Sequence, residues 1–547
     1  MKKYTGNSIY NAIAIGKVSL FKHCRGEVKR IRVDDPEAEK IRLEKAKEQS
    51  INQLREIYNK ALKEVGEPNA WIFEIHMMLI KDTDYNESLV NIIDSQSVNA
   101  EYAVSVTADN FAAMFGAMED SYMKARAADV KDISDRIINN LILGGNECAL
   151  FKEENVIVCT DDLAPSETIL LDKSKVLGFV TAYGSINSHT AILARNMNIP
   201  AVMGVGEEFL KEIKEGDRFI VDGFSGEVYI DPDSETTERL TQKQNEEEEK
   251  RRFHQNLKGK ENITVDGKEI DIFANIEGTE NIGAVLLNDA GGIGLFRSEF
   301  LYLDRHDYPT EEEQFNVYKK VLESMAGKKV IIRTLDAGAD KQADYFHIGR
   351  EENPALGCRA IRFSLSRPDI FKTQLRALYR ASAYGNLGIM FPMITSVEEL
   401  TEIFDICKDV KKELKAQGKE YSEDTEVGVM IETPAAAIIS DLLAPMVDFF
   451  SVGTNDLTQY TLACDRQNPK VERFCDPHHK AILRLITMTA ENAHKNGIRI
   501  GICGELGADI NLTEEFLRIG IDELSVAPGM VLKIRDRVRN IDLGKSE

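Results

Sequence analysis

Eight short apolar runs in the second half of the chain, at 271–276, 292–296, 330–335, 387–392, 427–432, 449–452, 498–503 and 524–527, alternate with longer stretches of helical periodicity. Runs this short and this rich in Val, Ile, Leu and Phe suit strands buried on both faces, and intervening helices make neighbouring strands parallel. Eight such units point to a (β/α)8 barrel over residues 262–547, with an open doubly wound sheet as the alternative. A barrel builds its chemistry from the loops after its strands, so the residues that end or follow each run carry the most information.

Those residues form a consistent set. Arg297 follows the second run, Arg333 and Asp336 lie at the third, and Arg359 and Arg362 stand in the loop beyond it. Glu432 ends the fifth run, Asn455 and Asp456 follow the sixth with Arg466 further on, and Cys503-Gly504-Glu505 closes the seventh. Guanidiniums gathered on one face would grip a carboxylate and a phosphate through paired hydrogen bonds. Glu432 and Asp456 offer the hard oxygen ligands that Mg²⁺ prefers, or else cap the helices that follow them. Cys503 is placed either to move a proton at a substrate atom or to fill space as an inert buried thiol.

Upstream, Tyr183-Gly184-Ser185-Ile186-Asn187-Ser188-His189-Thr190-Ala191 sets a histidine where a small-residue loop enters a helical pattern. A helix start exposes free N–H groups and a partial positive charge that favour an anion, and neutral imidazole is a nucleophile near pH 7. His189 can therefore carry a phosphoryl group, or simply lie exposed behind a Ser188 cap.

The first half reads as two pieces. Residues 8–21 form one or two strands, 35–146 turn helical, and strand signals return at 155–159, 176–181, 218–222 and 226–230. This gives a small α/β domain from residues 1–33 and 147–232 bearing His189, with a helical bundle over 34–146 inserted in it. Residues 233–261, which include an acidic and basic run at 246–252, read as a charged helical linker, with hinges near 223–233 and 259–262.

A net charge of −23 argues against a nucleic-acid backbone as partner. No apolar run approaches the roughly 18 residues of a membrane span, and no continuous apolar core follows the N-terminus, so a cytoplasmic protein is expected. The eight cysteines are scattered without zinc-site or disulfide-scaffold spacing.

Long segments resemble enzyme I of the bacterial sugar phosphotransferase system, the phosphoenolpyruvate-protein phosphotransferase family. They include Gly292-Ile293-Gly294-Leu295-Phe296-Arg297-Ser298-Glu299, Glu351-Glu352-Asn353-Pro354-Ala355-Leu356-Gly357-Cys358-Arg359, Glu432-Thr433-Pro434-Ala435-Ala436 and Gly453-Thr454-Asn455-Asp456-Leu457-Thr458-Gln459-Tyr460. The resemblance implies that His189 is phosphorylated and that Arg297, Arg333, Arg359, Asn455 and Arg466 bind phosphoenolpyruvate. It further implies Glu432 and Asp456 as Mg²⁺ ligands and Cys503 as the acid that protonates the enolate of pyruvate. By the same resemblance the helical insert, with Glu74-Ile75-His76-Met77-Met78-Leu79 and Arg126-Ala127-Ala128-Asp129-Val130, docks the phosphocarrier protein HPr, and the barrel forms a homodimer. Ser185 and Asn187 stand where the family usually has glycine and threonine, and the chain ends soon after Val526-Ala527-Pro528-Gly529, from which a weaker dimer is expected. Pyruvate phosphate dikinase is a rival reading, but no Gly-rich phosphate loop precedes the helical insert. A regulatory paralogue that binds phosphoenolpyruvate or HPr without catalysis is the other.

Overall fold

The computed structural model describes the chain except residues 22–27, 65–66, 118–120, 144–154, 164, 171–174, 185–190, 192–193, 196–198, 304, 306, 339–343, 347, 350, 467, 469 and 546–547. It divides into two compact units, Met1–Lys250 and Arg251–Glu547.

The first unit is built on a sheet of strands β1 (Lys2–Thr5), β2 (Asn7–Ser8), β3 (Ile13–Leu20), β4 (Val156–Thr160), β5 (Val176–Thr181), β6 (Ala201–Met203), β7 (Arg218–Asp222) and β8 (Glu227–Ile230), in the order β1-β8-β7-β3-β4-β5-β6-β2. Strands β3 to β6 are parallel, and the remaining strands pair antiparallel at the two sides. The sequence pattern misses β1 because it is an exposed edge strand without alternation, and β6 because it is three residues long.

Between β3 and β4 the chain leaves the sheet for helices α1 (Pro36–Glu64), α2 (Glu67–Lys81), α3 (Thr83–Gln96), α4 (Ala100–Gly116) and α5 (Ser121–Leu143). It then returns to pair Lys17 with Val156 and Leu20 with Cys159. Helix α1 buries Leu43, Ala46, Ser50, Leu54, Ile57 and Ala61, the three-to-four-residue stripe that lets one face of a polar helix join a core.

The helix Ser234–Gln255 starts the stretch read as a linker, and its first turns are docked on the sheet. Leu240 packs among Ile13, Ile220 and Tyr229, Lys243 pairs with Asp222 at 2.9 Å, and the Gln244 amide donates to the Ile13 carbonyl at 2.9 Å. Burying one leucine stabilises by about 1.5–3 kcal/mol, enough to hold a helix whose other residues favour water.

In the second unit β9 (Asp271–Ile276), β10 (Ile293–Arg297), β11 (Val330–Arg333), β12 (Leu387–Phe391), β13 (Glu426–Ile431), β14 (Phe449–Val452), β15 (Arg499–Ile502) and β16 (Glu523–Val526) form a closed barrel. Every neighbouring pair is parallel, and β16 closes on β9 with Glu523 opposite Asp271, which excludes the open sheet. Leu295, Ile331, Met390, Met430, Phe449 and Cys503 form a small cluster of their own, separate from the large core that packs the strands against the helices. Two such layers are what alternating inward and outward side chains produce in a barrel.

Glu523, at the start of β16, is buried, and its carboxyl lies over Gly294, where any Cβ would collide with Glu523 Oε1 and Ser525 Oγ. Burial first, and then Asp271, pushes its carboxyl up to about 8, against the opposing charges of Arg499 and Lys329. Between an unfolded value near 4.5 and about 8 the folded chain thus holds a proton that the unfolded chain releases, so this group lowers stability as pH rises through that window. Glu523→Gln, which cannot ionise, should melt progressively higher than the wild type as pH goes from 5 to 8, by about 2–4 °C for each kcal/mol recovered. Thermal unfolding across pH measures this, and a difference that stays flat with pH would refute it.

Candidate active site

The loops after β11, β13 and β14 bring three carboxylates and two guanidiniums to one buried point. Arg333, the last residue of β11, lies with Nη1 2.9 Å from Asp336 Oδ2, and its Nη2 donates to Glu299 Oε1 at 3.0 Å. The same Glu299 oxygen accepts the Asp336 backbone N–H at 2.9 Å. The other Asp336 oxygen accepts from Arg359 Nη2 at 2.9 Å, so one carboxylate bridges two arginines. Arg359 also lies 3.7 Å from Asp456 Oδ2 and donates to Tyr460 Oη at 3.2 Å, while that hydroxyl donates to the Ala355 carbonyl at 2.5 Å.

Glu432 follows β13 and accepts the Met393 backbone N–H at 2.6 Å. Met393 is held at φ +58 and Ala360, next to Arg359, at φ +52, a left-handed region that costs side-chain-bearing residues energy. Such strain persists where the surroundings fix it, and here both residues flank the charged cluster. Gly453 is required on the other side, since a Cβ there would come within 2.9 Å of Glu432 Cβ.

Asp336, Glu432 and Asp456 each present an oxygen within 4.8 Å of the others, a group able to hold a metal ion. With Glu299, four buried carboxyl groups face two buried guanidiniums, an excess of acid that a divalent cation would offset. The electrostatics agree. Burial first, then Asp336 and Asp456, pushes the Glu432 carboxyl up to about 8, the response of an acid short of positive charge. Burial works against Arg333 and Arg359, but their acidic partners outweigh it and raise both. Arg333 Nε, Arg359 Nε, Thr454 Oγ1 and Glu299 Oε2 are buried with no hydrogen-bond partner among the described residues, as in a site shaped for a polar ligand.

The family model described as the PEP-binding domain of PEP-utilising enzymes matches residues 251–543. Models of the N-terminal and mobile domains of the same enzymes match 5–126 and 152–226. The phosphoenolpyruvate-protein phosphotransferase of Priestia megaterium is 43% identical over 99% of this chain and 94% of its own, and that of Bacillus subtilis 41% over 100% and 96%. A solved structure of Enzyme I (nEIt) aligns with 45% of this chain and 99% of its own at 38% identity, with a TM-score of 0.39. The chain belongs to the phosphoenolpyruvate-protein phosphotransferase family.

Of the residues singled out for phosphoenolpyruvate-protein phosphotransferase chemistry, the barrel gathers Arg333, Arg359, Glu432 and Asp456. Arg466 joins at the rim, with Nη2 4.0 Å from Asp456 Oδ1. Asn455 is held in place by a reciprocal pair in which its amide donates to Glu505 Oε1 and its oxygen accepts the Glu505 N–H, both at 2.9 Å. Arg297 is also at the rim but pairs with Glu277. Cys503 follows β15, buried among Leu295, Ile331, Met390, Met430 and Phe449, with Sγ 3.6 Å from the Val452 carbonyl. Burial pushes its thiol up to about 12, so at neutral pH it holds its proton. His189, with Ser185, Asn187 and Ser188, lies outside the described residues.

Two residues of the network escaped sequence reasoning in their roles. Asp336 was visible beside Arg333, but its service to two arginines and to the acidic group depends on Arg359 folding back from the far end of the same loop. Glu299 sits in a quoted motif, yet only the fold shows it bracing both Arg333 and the Asp336 backbone. Asp336→Ala should cost about 3–5 kcal/mol in urea unfolding, because it strips two buried guanidiniums of a shared partner. A loss below 1 kcal/mol would show the network to be dispensable for stability.

Proposed function

We propose that the barrel face binds phosphoenolpyruvate and passes its phosphoryl group to His189, which hands it to a histidine of an HPr-type phosphocarrier protein, the first step of a sugar phosphotransferase system. The observation that carries this reading is the buried cluster in which Arg333 and Arg359 converge with Asp336, Glu432 and Asp456 at the C-terminal ends of the barrel strands.

In this reading Arg333 and Arg359, with Arg297 and Arg466 from the rim and the Asn455 amide, bind the carboxylate and phosphate of phosphoenolpyruvate and hold its phosphoryl group for transfer to His189. Transfer breaks the bond between phosphorus and the enol oxygen and forms a phosphorus–nitrogen bond. The pyruvate enolate left behind takes a proton at carbon from the Cys503 thiol, which its buried setting keeps charged with that proton. Phosphoryl transfer needs fixed positive groups around the equatorial oxygens more than covalent help, and preorganised guanidiniums provide them. Glu432 and Asp456, with Asp336 in reach, would hold Mg²⁺, which when bound supplies positive charge to the phosphate and enol oxygens.

The helical insert is the docking surface in the same reading. Buried His76 of α2 lies 3.2 Å from Asp129 of α5, near enough for an ion pair though not aligned for a hydrogen bond, and Arg126 pairs with Asp129 at 2.8 Å. This ties together the two segments assigned to HPr binding. On α2, Trp71 and Met78 are seven residues apart, two helical turns along one face, and exposed at 53% and 65%. Among the described residues no helix is long and apolar enough to cross a membrane, and the proposed setting is the cytoplasm, with dimerisation through the barrel.

Phosphoenolpyruvate labelled in its phosphoryl group should, with Mg²⁺, label one acid-labile histidine, and His189→Ala should abolish the label. Binding of phosphoenolpyruvate without any labelling of the unmutated protein would favour the regulatory reading instead. Met78→Asp should slow transfer to HPr about tenfold while leaving autophosphorylation unchanged, as expected for an apolar contact at the centre of an interface. Quenched-flow transfer assays separate the two steps.

A further inference from the structure

The loop that carries Arg466 is bracketed by two cysteines. Cys464, two residues before Arg466, is buried, and Cys475 is half-buried. The Cys475 Sγ lies 3.9 Å from the Cys464 carbonyl oxygen, so the second cysteine sits against the backbone of the first. In the reduced chain the Cys464 thiol donates to the Val471 carbonyl at 3.2 Å, and the Cys464 N–H donates to the Gln459 carbonyl at 3.0 Å. Gln459 Oε1 accepts the Arg466 N–H at 3.2 Å. The thiol therefore fastens the far side of the loop to the helix end that also sets the Arg466 backbone.

We infer that Cys464 and Cys475 form an oxidation site, a dithiol that hydrogen peroxide converts to an intrachain disulfide enclosing Arg466, and that the disulfide weakens phosphoenolpyruvate binding. The chemistry balances. The Cys475 thiolate, the more accessible of the two, attacks peroxide and breaks its O–O bond, giving a sulfenic acid and hydroxide. The Cys464 sulfur then attacks the sulfenic sulfur, the S–S bond forms, and the oxygen leaves as water. Two thiols lose two electrons and two protons, and one peroxide becomes two waters. Burial, and next the neighbouring thiol, raises Cys475 from the ordinary thiol value, so the pair reacts slowly and faster as pH rises.

Forming the S–S bond removes the Cys464 S–H, so the Val471 carbonyl loses its donor and the loop around Arg466 must rearrange. The link to substrate rests on the reading of Arg466 as a phosphoenolpyruvate ligand, whereas the oxidation itself does not.

The full-length protein is treated with hydrogen peroxide, quenched, digested and mapped for disulfides by mass spectrometry, with phosphoenolpyruvate-dependent labelling measured in parallel before and after dithiothreitol. A Cys464–Cys475 peptide pair is expected. The half-saturating phosphoenolpyruvate concentration should rise about tenfold, the value of one hydrogen bond to a charged group, and return on reduction. Cys475→Ser and Cys475→Ala should match the reduced wild type in activity and lose the response to peroxide. Absence of the linked peptide overturns the oxidation site. A linked peptide with unchanged half-saturation, or an equal response in both Cys475 variants, overturns the coupling to Arg466. A reduced protein that takes up no label defeats the proposed function and the coupling with it, while the linked peptide still decides the oxidation site.

Discussion

The second unit depends on one carboxylate placed between two buried guanidiniums. Asp336 takes Arg333 on one oxygen and Arg359 on the other, and its backbone is fixed by the same Glu299 oxygen that holds Arg333. Desolvating two guanidiniums is costly, and without near-ideal partners they would drag water into the barrel mouth or swing away from it. With Asp336 between them they are immobile before any ligand arrives. Only part of each fork is engaged, since Arg333 Nε and Arg359 Nε have no hydrogen-bond partner among the described residues. A site held in this way meets developing charge with dipoles and charges already oriented, the condition under which electrostatic stabilisation is strongest.

Much of this was legible in the chain because a barrel converts position along the sequence into position in space. Once eight buried runs are recognised, every residue just after a run belongs to one face, and Arg333, Glu432, Asp456 and Cys503 follow without knowledge of contacts. What stayed hidden is what depends on a second, distant segment. The bridging by Asp336 needs Arg359; the left-handed Met393 that donates to Glu432 needs a neighbouring loop; the docking of the charged helix at 234–255 rests on Leu240 finding three apolar residues from three strands. Spacing rules also read cysteines one at a time, so the contact between Cys464 and Cys475 was invisible in a scattered set.

The cysteines also show how far environment overrides residue type. Cys159 in β4 is sealed in an apolar core, and burial raises its thiol well above the ordinary value with only the charge of Glu215 adding to the effect. Cys503 is equally buried, but Arg333 and Glu432 act on it from the charged cluster above, so its retained proton faces a place where chemistry can occur. Cys475 is raised in a half-buried loop, with its sulfur against the backbone of a second cysteine. Three thiols with the same direction of shift thus sit in three different surroundings, an apolar core, the underside of a charged cluster and a half-buried loop, and the acid and redox roles proposed for the last two rest on those surroundings.

The charge count at the barrel mouth also orders how an anionic ligand enters. Four buried carboxylates against two buried guanidiniums give the inner cluster a negative sign, which by itself repels a phosphate. Arg297 and Arg466 are the counterweight, and they sit outside the cluster with side chains 41% and 37% exposed. In the proposed function an incoming phosphoenolpyruvate would meet positive charge first at the rim, where screening is greatest and attraction weakest, and only then the acidic group. A divalent cation on the acidic group cancels that inner negative charge. In the proposed function cation and substrate accordingly bind with mutual reinforcement, and by thermodynamic reciprocity each raises the affinity of the other by the same factor. A loop change that moves Arg466 acts on the first of these encounters and leaves the inner cluster as it was.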